Sequence, residues 1–431
     1  MKYEEELSSL IKVKSITDID QSKIIEIRKL LKKLFPHVYK KCEYFEYDNA
    51  ILLIWRGYNK KLKPYLFMNH HDVVAAGSDW TYPPFEGTIT KTRIYGRGTL
   101  DTKGGLYCML KAADELIESG YTPERDIYFE SSSTEETSGI GGEYVAKILE
   151  KRKIKFDMIL DEGGMIVYDP IGGAKGYFAM IGVGEKGCAD IKFTVKSNGG
   201  HASAPKKNSP LIKLSKFMIE VEKKNNKIFR KEMNPAIENM FLGMSKKMNG
   251  PLGFICAHPK FFKPLILTIF PIVSPNANAM FRTTLAFTES KGSDATNSIP
   301  EEAWIIGNMR FSHHQGRRNS INKVKKIANK YNINVEILDK GIESRISDYR
   351  SKEFKMVTEA VETTFNNVIP LPYIMTGASD SRYYSKLSDN IFKFVPFIVD
   401  DQQLESIHGT DENVNISCLA PAIEFYKKLM K

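Results

Sequence analysis

Long apolar runs are missing from this 431-residue sequence, and so are the cysteine patterns of disulfide-bonded or thiolate-metal proteins. No uninterrupted apolar stretch approaches the ~18 residues that a membrane-spanning helix requires. The five cysteines are scattered, odd in number and never spaced as CxxC, which argues against a disulfide framework or a thiolate zinc site. The first residues, MKYEEEL, lack the apolar core of a secretion signal. Together these absences predict a cytoplasmic protein.

Acidic residues are outnumbered, with 52 Asp and Glu against 62 Lys and Arg, for a formal net charge of +10. Such a balance can indicate binding to nucleic acid or to an anionic membrane. The cations, however, occur in short pairs such as Arg28-Lys29 and Lys223-Lys224, and no basic patch is interleaved with aromatic residues. We therefore expect no nucleic-acid partner and no membrane partner, and only a mild attraction for anionic substrates.

The predicted elements indicate two domains, as the length also does. In the first third of the chain, short apolar runs that predict strands alternate with segments of helical periodicity, and the alternation returns after about residue 315. The predicted strands there are 51–55, 65–68, 126–129 and 156–160, and the helices are 20–34, 103–118, 142–151, 321–331, 352–366 and 418–430. This order favours an α/β fold with a mostly parallel sheet covered by helices.

The middle of the chain has a different pattern. It predicts strands around 189–196, 265–272, 280–288 and 303–311, with one clear helix near 209–223. We interpret residues 186–313 as an inserted α+β domain, so that residues 1–185 and 314–431 form one discontinuous domain. Hinges are expected near 184–187 and 312–315. Functional residues should therefore come from both ends of the chain.

Histidines and carboxylates gather in five segments, most of them directly after a predicted strand. The segments are FMNHHDVV (67–74), YGRGTLDTKGG (95–105), FESSSTEETSG (129–139), MILDEGG (158–164) and ESIHGTDEN (405–413). Open α/β sheets bind ligands at the carboxyl ends of their strands, so these side chains are expected to lie together. The set contains nitrogen and oxygen ligands and no sulfur, which suits Zn²⁺ first, with Mn²⁺ or Co²⁺ as substitutes.

The spacing within the first two segments restricts the roles of their residues. His70 and Asp72 are two residues apart at a strand end, so both point to one side and His71 to the other. An acidic neighbour can orient a ligand histidine and raise its basicity. Asp101 precedes a predicted helix, where capping is the common alternative role, although its neighbouring glycines favour close approach of the backbone to a site. Of the adjacent Glu135 and Glu136, one can bind metal and the other can accept a proton.

In order and spacing, the five segments resemble the M20 metallopeptidase family, which includes aminoacylase-1, carboxypeptidase S, acetylornithine deacetylase and succinyl-diaminopimelate desuccinylase. The resemblance extends from about residue 40 to the C-terminus. The motif sequences RTT, DEGG and SDSR are most similar to those of the carboxypeptidase S and aminoacylase-like branch. It implies a hydrolase with two zinc ions, a catalytic domain formed by the discontinuous part, and an inserted lid that also forms a homodimer.

The resemblance also implies a role for each matched residue of the catalytic domain. The implied metal ligands are His70, Asp101, Glu136, Glu162 and His408. Asp101 would bridge both ions, Asp72 would hold the ring of His70, and Glu135 would be the general base. Asp161 remains the alternative to Glu162, and His71 the alternative to His70. Many members have a cis peptide bond after the bridging aspartate, here between Asp101 and Thr102.

Three further motifs match the substrate-binding segments of the family. The motif SNGGHASAP resembles the lid motif whose histidine, here His201, polarises the scissile carbonyl, often in the site of a partner subunit. FRTT and NSIP resemble lid strands that contact substrate, through Arg282 and Asn297. GASDSR resembles the segment whose arginine, here Arg382, helps to hold a substrate carboxylate. For Arg382 a surface ion pair is the alternative.

The implied reaction is hydrolysis of an amide bond next to a free carboxylate, of the dipeptide (Gly-X type) carboxypeptidase kind. Deacylation of N-acyl amino acids is the alternative, because the same catalytic residues would serve both. The substrate is thus expected to be a small peptide or an N-acyl amino acid. A non-catalytic relative that binds peptides or metabolites is the alternative of another class. This alternative would be favoured if an implied metal ligand or Glu135 were missing from the sequence, but all of these residues are present.

Overall fold

The computed structural model describes residues 2–17, 19–339 and 341–431. The strands are β1 (Glu43–Tyr47), β2 (Ala50–Trp55), β3 (Tyr65–Met68), β4 (Thr88–Ile89), β5 (Arg93–Tyr95), β6 (Ile127–Ser132), β7 (Met158–Tyr168), β8 (Tyr177–Glu185), β9 (Gly187–Lys196), β10 (Gly200–His201), β11 (Thr284–Lys291), β12 (Ser298–Ile299), β13 (Glu302–Phe311), β14 (Asn334–Ile337), β15 (Val368–Met375), β16 (Ile391–Val399) and β17 (Asn413–Asn415). The helices are α1 (Tyr3–Ile11), α2 (Gln21–Leu34), α3 (Pro36–Lys41), α4 (Lys103–Glu118), α5 (Ile140–Lys151), α6 (Pro210–Lys223), α7 (Asn225–Ile228), α8 (Pro235–Ser245), α9 (Gly250–Ala257), α10 (Lys263–Val273), α11 (Pro275–Phe281), α12 (Gly316–Lys330), α13 (Lys352–Thr364), α14 (Asp401–Ser406) and α15 (Leu419–Met430).

The main sheet has eight strands in the order β1-β2-β6-β3-β7-β16-β8-β15. The central pairs β6–β3, β3–β7 and β7–β16 are parallel, as is β8–β15, whereas β1–β2 and β2–β6 are antiparallel. Every residue of β2, β3 and β6 is buried, as expected for a sheet covered by helices on both faces. The structure thus confirms the predicted fold class, a mostly parallel α/β sheet between helices.

A second, antiparallel sheet has the order β11-β13-β9-β14 and its own apolar core. Its strand β9 begins two residues after β8 ends, and β13 ends at Phe311. Side chains of α6 and α12, such as Phe217 and Val324, pack in this core with Phe193 of β9. Because α12 and β14 follow residue 313 and still belong to this unit, we propose that the lid extends to about residue 337.

The helices α8 to α11 lie within the insert but pack on the main core rather than on the second sheet. Phe241 of α8 and Phe281 of α11 belong to the same buried cluster as the strands of the main sheet. A Cβ added at Gly243 of α8 would lie 2.1 Å from Leu371 of β15, so helix and strand are in close contact there. Residues 186–313, the predicted insert, therefore contribute side chains to both cores.

The prediction of a strand at 265–272 is wrong, because these residues lie in helix α10. Continuous apolar runs suit either element, and periodicity alone does not separate the two. Pro264 lies in the first turn of the helix, where its missing N–H costs nothing. The buried residues Ile266 and Phe270 are four apart, which is helical spacing. The strand predicted at 280–288 begins later, at Thr284, because α11 runs to Phe281.

All five cysteines are free. Among the described residues, no helix is both long and apolar enough to cross a membrane.

Candidate active site

A cleft of about 900 Å³ separates the carboxyl edge of the main sheet from the second sheet. One wall carries carboxylates and a histidine that lie after β5, after β6, within β7 and after α14. The opposite wall carries polar side chains of β9 and β13. Residues on the first wall include Asp101, Glu135, Glu136, Glu162 and His408, and those on the second include Cys188, Asp190, Asn308 and Arg310. The two ends of the chain therefore meet in one site, as the sequence predicted.

His70 lies at the centre of the first group of side chains. Its Nε2 atom is 3.1 Å from Asp101 Oδ1, 3.7 Å from Glu162 Oε1 and 4.0 Å from Glu135 Oε2. Its Nδ1 atom lies 3.0 Å from the carbonyl oxygen of Asp72 and 3.3 Å from Asp72 Oδ1, so the ring is held from behind. The Nε2 lone pair is therefore directed towards the carboxylates, which is the orientation of a metal ligand.

His408 lies on the other side of Asp101. Its Nε2 atom is 3.0 Å from Asp101 Oδ2 and 3.0 Å from Glu136 Oε2. The two oxygens of the Asp101 carboxylate thus face two different histidines. His70, Asp101 and Glu136 offer ligand atoms within 4.8 Å of one another, and so do His70, Glu135 and Glu162. The peptide bond between Asp101 and Thr102 is cis, as the resemblance implied.

The donor set fits divalent cations. Glu136 Oε1 is buried and has no hydrogen-bond partner among the described residues, and such an orphaned oxygen is costly unless a cation or donor reaches it. Burial raises the pKa of Glu135 and of Glu162 well above the usual value. Hydrogen bonds to Asp101 and Glu136 raise the pKa of His408 to about 10. Buried carboxylates this close together are most stable beside positive charge, which a metal supplies.

The buried carboxylate of Asp72 connects His70 to the Glu135–Glu136 loop. One of its oxygens accepts a hydrogen bond from the hydroxyl of Thr17. The backbone N–H groups of Glu135 and Glu136 donate to its two oxygens, at 3.4 and 3.2 Å. Burial acts to raise the pKa of Asp72, but the hydrogen bonds from His70 and Thr17 outweigh burial and lower the pKa. Asp72 therefore stays ionised and fixes both the ring and the loop.

A buried ion pair connects the loops that carry Asp101 and His408. Glu412 and Arg97 are 0% and 1% exposed, and their side chains pair at 2.7 Å. The Glu412 carboxylate also accepts three backbone N–H bonds, from Gly98 (3.0 Å), Leu100 (2.8 Å) and Asp101 (3.1 Å). Arg97 in turn donates to the Gly409 carbonyl at 2.7 Å. Sequence reasoning missed this pair, because its members are more than three hundred residues apart.

The sequence left two choices of metal ligand open, Asp161 or Glu162 and His71 or His70. The directions of the side chains distinguish the members of each pair. Asp161 Oδ2 accepts a hydrogen bond from the N–H of Ser381 (2.9 Å), away from the cleft, whereas Glu162 lines it. His71 is fully buried and contacts Ser131 Oγ (2.9 Å) and the Arg28 guanidinium (3.3 Å). Burial and the Arg28 charge lower the pKa of His71 well below its usual value. The structure thus brings Glu162 and His70 to the site, and leaves Asp161 and His71 outside it.

Among the predicted substrate contacts, Arg382 lines the cleft, 3.9 Å from Glu135 Oε1. The other three do not line it. His201 is exposed on β10, which pairs with β12, and its Nδ1 atom contacts Ser203. Asn297 is exposed next to β12, and Arg282 is buried with its guanidinium 2.6 Å from Asn226.

Two cations in the cleft were not predicted from the sequence. Arg310 of β13 donates to Asn308 Oδ1 (2.9 Å) and, among the described residues, forms no ion pair. Lys186, between β8 and β9, donates to Thr284 Oγ1 at 3.0 Å, and burial together with nearby arginines lowers its pKa to about 7. Period-two alternation along the predicted strand 303–311 places Asn308 and Arg310 on one face, a signal that could have identified Arg310.

Comparison with known proteins identifies the same family that the site residues and their motifs resemble. The sequence profile of peptidase family M20/M25/M40 matches residues 66–431. The chain is 31% identical over 418 residues to the probable carboxypeptidase S-like 2 of Dictyostelium discoideum, covering 95% of this chain and 80% of that protein. It is 29% identical over 416 residues to the human N-fatty-acyl-amino acid synthase/hydrolase PM20D1, covering 95% and 82%.

Solved structures share the fold. The M20 family metallo-carboxypeptidase Sso-CP2 from Sulfolobus solfataricus superposes with a TM-score of 0.74 at 19% identity, covering 100% of this chain and 99% of that one. Human carnosine dipeptidase 1 has a TM-score of 0.70 at 15% identity, covering 99% and 95%. With the profile match over most of its length, the chain belongs to the M20 peptidase family and is a metal-dependent hydrolase of peptide or amide bonds.

Proposed function

We propose that this hydrolase binds two zinc ions and cleaves the amide bond that joins an acyl or aminoacyl group to an amino acid with a free carboxylate. A dipeptide of the Gly-X kind is the first candidate substrate. The observation that carries the proposal is the convergence of His70, His408 and four carboxylates in one cleft, although these residues are spread over more than three hundred positions.

The geometry suggests how the residues would divide between two ions. His70 and Glu162 would hold one ion, and Glu136 and His408 the other. Asp101 would contact both, since its two oxygens face different histidines at 3.1 and 3.0 Å. The ions, when bound, would supply Lewis acidity for the scissile carbonyl and for activation of water. Zn²⁺ suits this nitrogen and oxygen set, with Mn²⁺ and Co²⁺ as substitutes.

Glu135 is the proposed general base. It lies beside the ligand cluster, 4.0 Å from His70 Nε2, without belonging to the group around His408. Its raised pKa, caused by burial, suits a carboxylate that takes a proton from the attacking water and then returns it to the leaving amine nitrogen. The Arg382 guanidinium at 3.9 Å restrains the Glu135 carboxylate. A single carboxylate would thus serve both steps, because it accepts a proton from the water and later releases that proton to the amine.

The cations of the cleft support a substrate that carries a free carboxylate. Arg382 and Arg310 lie on opposite walls, and the guanidinium of Arg310 faces the cleft without an acidic partner among the described residues. A carboxylate is the group that such a guanidinium binds in a bidentate manner. We therefore add Arg310 to Arg382 as a candidate for holding the substrate carboxylate. Arg310, Arg382 and Glu135 all line the same cleft.

We further propose a homodimer through the lid, in which His201 acts in the cleft of the second copy. His201 is exposed and does not line the cleft of its own chain. Helix α6, which follows β10 in the sequence, exposes Leu211, Ile212 and Ile219 by 46%, 49% and 53%. Apolar exposure of this size favours a protein contact. Asn297, next to the strand β12 that pairs with β10, would accompany His201, and Arg282 is retained as a lid contact.

Deacylation of N-acyl amino acids is the second candidate function. Human PM20D1, 29% identical to this chain, is named as an N-fatty-acyl-amino acid synthase/hydrolase. The catalytic residues proposed above would serve either substrate, so only a substrate panel distinguishes the two. The experiment is metal analysis of the purified protein followed by hydrolysis of Gly-X dipeptides and of N-acetyl and long-chain N-acyl amino acids. Absence of hydrolysis for every member by the zinc-loaded protein would refute the proposal.

A further inference from the structure

Helix α10 exposes apolar side chains that no residue of the described part of the chain covers. Its sequence, KPLILTIFPIV, has a single charged residue. Ile266 and Phe270 are buried against the main core, yet Leu265 and Ile272, seven residues apart and so on one face, are 38% and 79% exposed. Val273 at the end of the helix is 65% exposed. Helices that are apolar on all sides are normally buried in protein or in lipid.

The patch continues across the turn that precedes α10. Phe261 is 81% exposed and Phe254 of α9 is 59% exposed. Both rings pack against Phe262, at centroid distances of 4.9 and 5.7 Å, so the three aromatic residues form one group. We call the surface formed by Phe254, Phe261, Leu265, Ile272 and Val273 the α9–α10 patch. The patch lies on helices that pack on the main core. It is separate from the exposed apolar residues of α6.

The stretch of sequence that contains the patch carries charge of one sign. Residues 239–288 contain four lysines and one arginine, and no aspartate or glutamate. Lys246, Lys247 and Lys260 of this stretch are exposed. An apolar helical face with phenylalanine and leucine, bordered by lysine, is the composition of segments that lie in the interface of an anionic membrane. Each lysine near such a surface adds to the attraction.

We propose that the α9–α10 patch docks this protein peripherally on an anionic phospholipid surface. The apolar side chains would enter the headgroup region, and the lysines would meet the lipid phosphates and carboxylates. A contact between two copies of the patch is disfavoured by the same charges, because a two-fold interface would bring identical lysines together. Peripheral docking requires no membrane-spanning helix. It departs from the sequence-based expectation of no membrane partner, and it does not depend on the proposed reaction.

The test is co-sedimentation of the zinc-loaded full chain with vesicles of phosphatidylcholine alone, or of phosphatidylcholine mixed with phosphatidylserine, at about 0.1 M salt. We expect binding to the mixed vesicles and at least about tenfold weaker partition for the double variant Phe261→Asp, Ile272→Asp. The matched control is Tyr58→Asp with Ile19→Asp, whose side chains are 70% and 67% exposed on the other part of the molecule. It should bind as the unaltered chain does.

A second pair of variants tests the charge. Lys260→Gln should weaken binding to the mixed vesicles about fivefold, whereas Lys91→Gln, an exposed lysine between β4 and β5, should not. Thermal unfolding and circular dichroism verify that every variant is folded. No sedimentation of the unaltered chain, or equal sedimentation of the patch and control variants, overturns the proposal. So does a concentration-dependent dimer that the patch variant alone abolishes, because the patch would then bind a second copy.

Discussion

Replacing Glu412 by glutamine should destabilise the protein by about 3–5 kcal/mol, the usual cost of breaking a buried ion pair from one side. The substitution keeps the size of the side chain but removes the charge that faces Arg97, and both residues are almost fully buried. It also turns an amide N–H₂ towards backbone donors at 2.8–3.1 Å, since all three N–H groups point at the carboxylate. Each unsatisfied buried donor costs about 1–3 kcal/mol, in agreement with that range.

The same substitution should weaken metal binding. Glu412 fixes the backbone of Asp101, and Arg97 fixes the carbonyl of Gly409, next to His408. Loss of such supporting contacts typically lowers metal affinity about 10–100-fold. The assays are urea unfolding followed by circular dichroism and competition of a chelator for zinc. Glu405→Gln, an exposed glutamate on the same segment, is the control and should change stability by less than about 0.5 kcal/mol. A loss below about 1 kcal/mol for Glu412→Gln would refute the reasoning.

Further predictions concern the base, a buried lysine and the carboxylate site. Glu135→Gln should abolish turnover while the metal content stays near normal, and retained turnover would exclude Glu135 as the base. Lys186, with a pKa of about 7 against 10.5 unfolded, binds fewer protons in the folded protein, so stability should rise between pH 7 and 10.5. Relative to Lys186→Met, the unaltered chain should gain about 2 kcal/mol between pH 7 and 9 in urea unfolding, and parallel curves would contradict the assignment. Arg310→Met should lower kcat/KM about 30-fold or more for substrates with a free carboxylate, and much less for the corresponding amides. An equal loss for both would show that Arg310 does not bind the carboxylate.

The position of the site could be predicted because it depends on a rule that acts along the chain. His70, Glu135 and Glu162 belong to segments at the carboxyl edge of parallel strands, and a parallel sheet brings those ends together. Apolar runs and glycine-flanked acids mark such points in the sequence. The sequence did not decide which of two adjacent residues faces the site. His70 and His71, or Asp161 and Glu162, differ only in the direction in which the local backbone turns their side chains.

What the sequence did not reveal depends on contacts between distant segments. The Arg97–Glu412 pair carries no local pattern that separates it from surface charges, and alternation along the strand gives the face of Arg310 but not what that face meets. Helix α10 was mistaken for a strand because an apolar run has no period to measure, and its neighbours in space decide its conformation. The start of the insert at residue 186 stays a prediction, and the packing of α12 on the second sheet could not be inferred from the sequence alone.

The central claim is that residues at both ends of the chain hold two metal ions in one cleft. Anomalous X-ray scattering at the zinc absorption edge, from crystals of the zinc-loaded protein, tests it most directly. We predict two peaks, one in contact with His70 and Glu162 and the other with Glu136 and His408, both in contact with Asp101. A single peak, or peaks away from these side chains, would contradict the account.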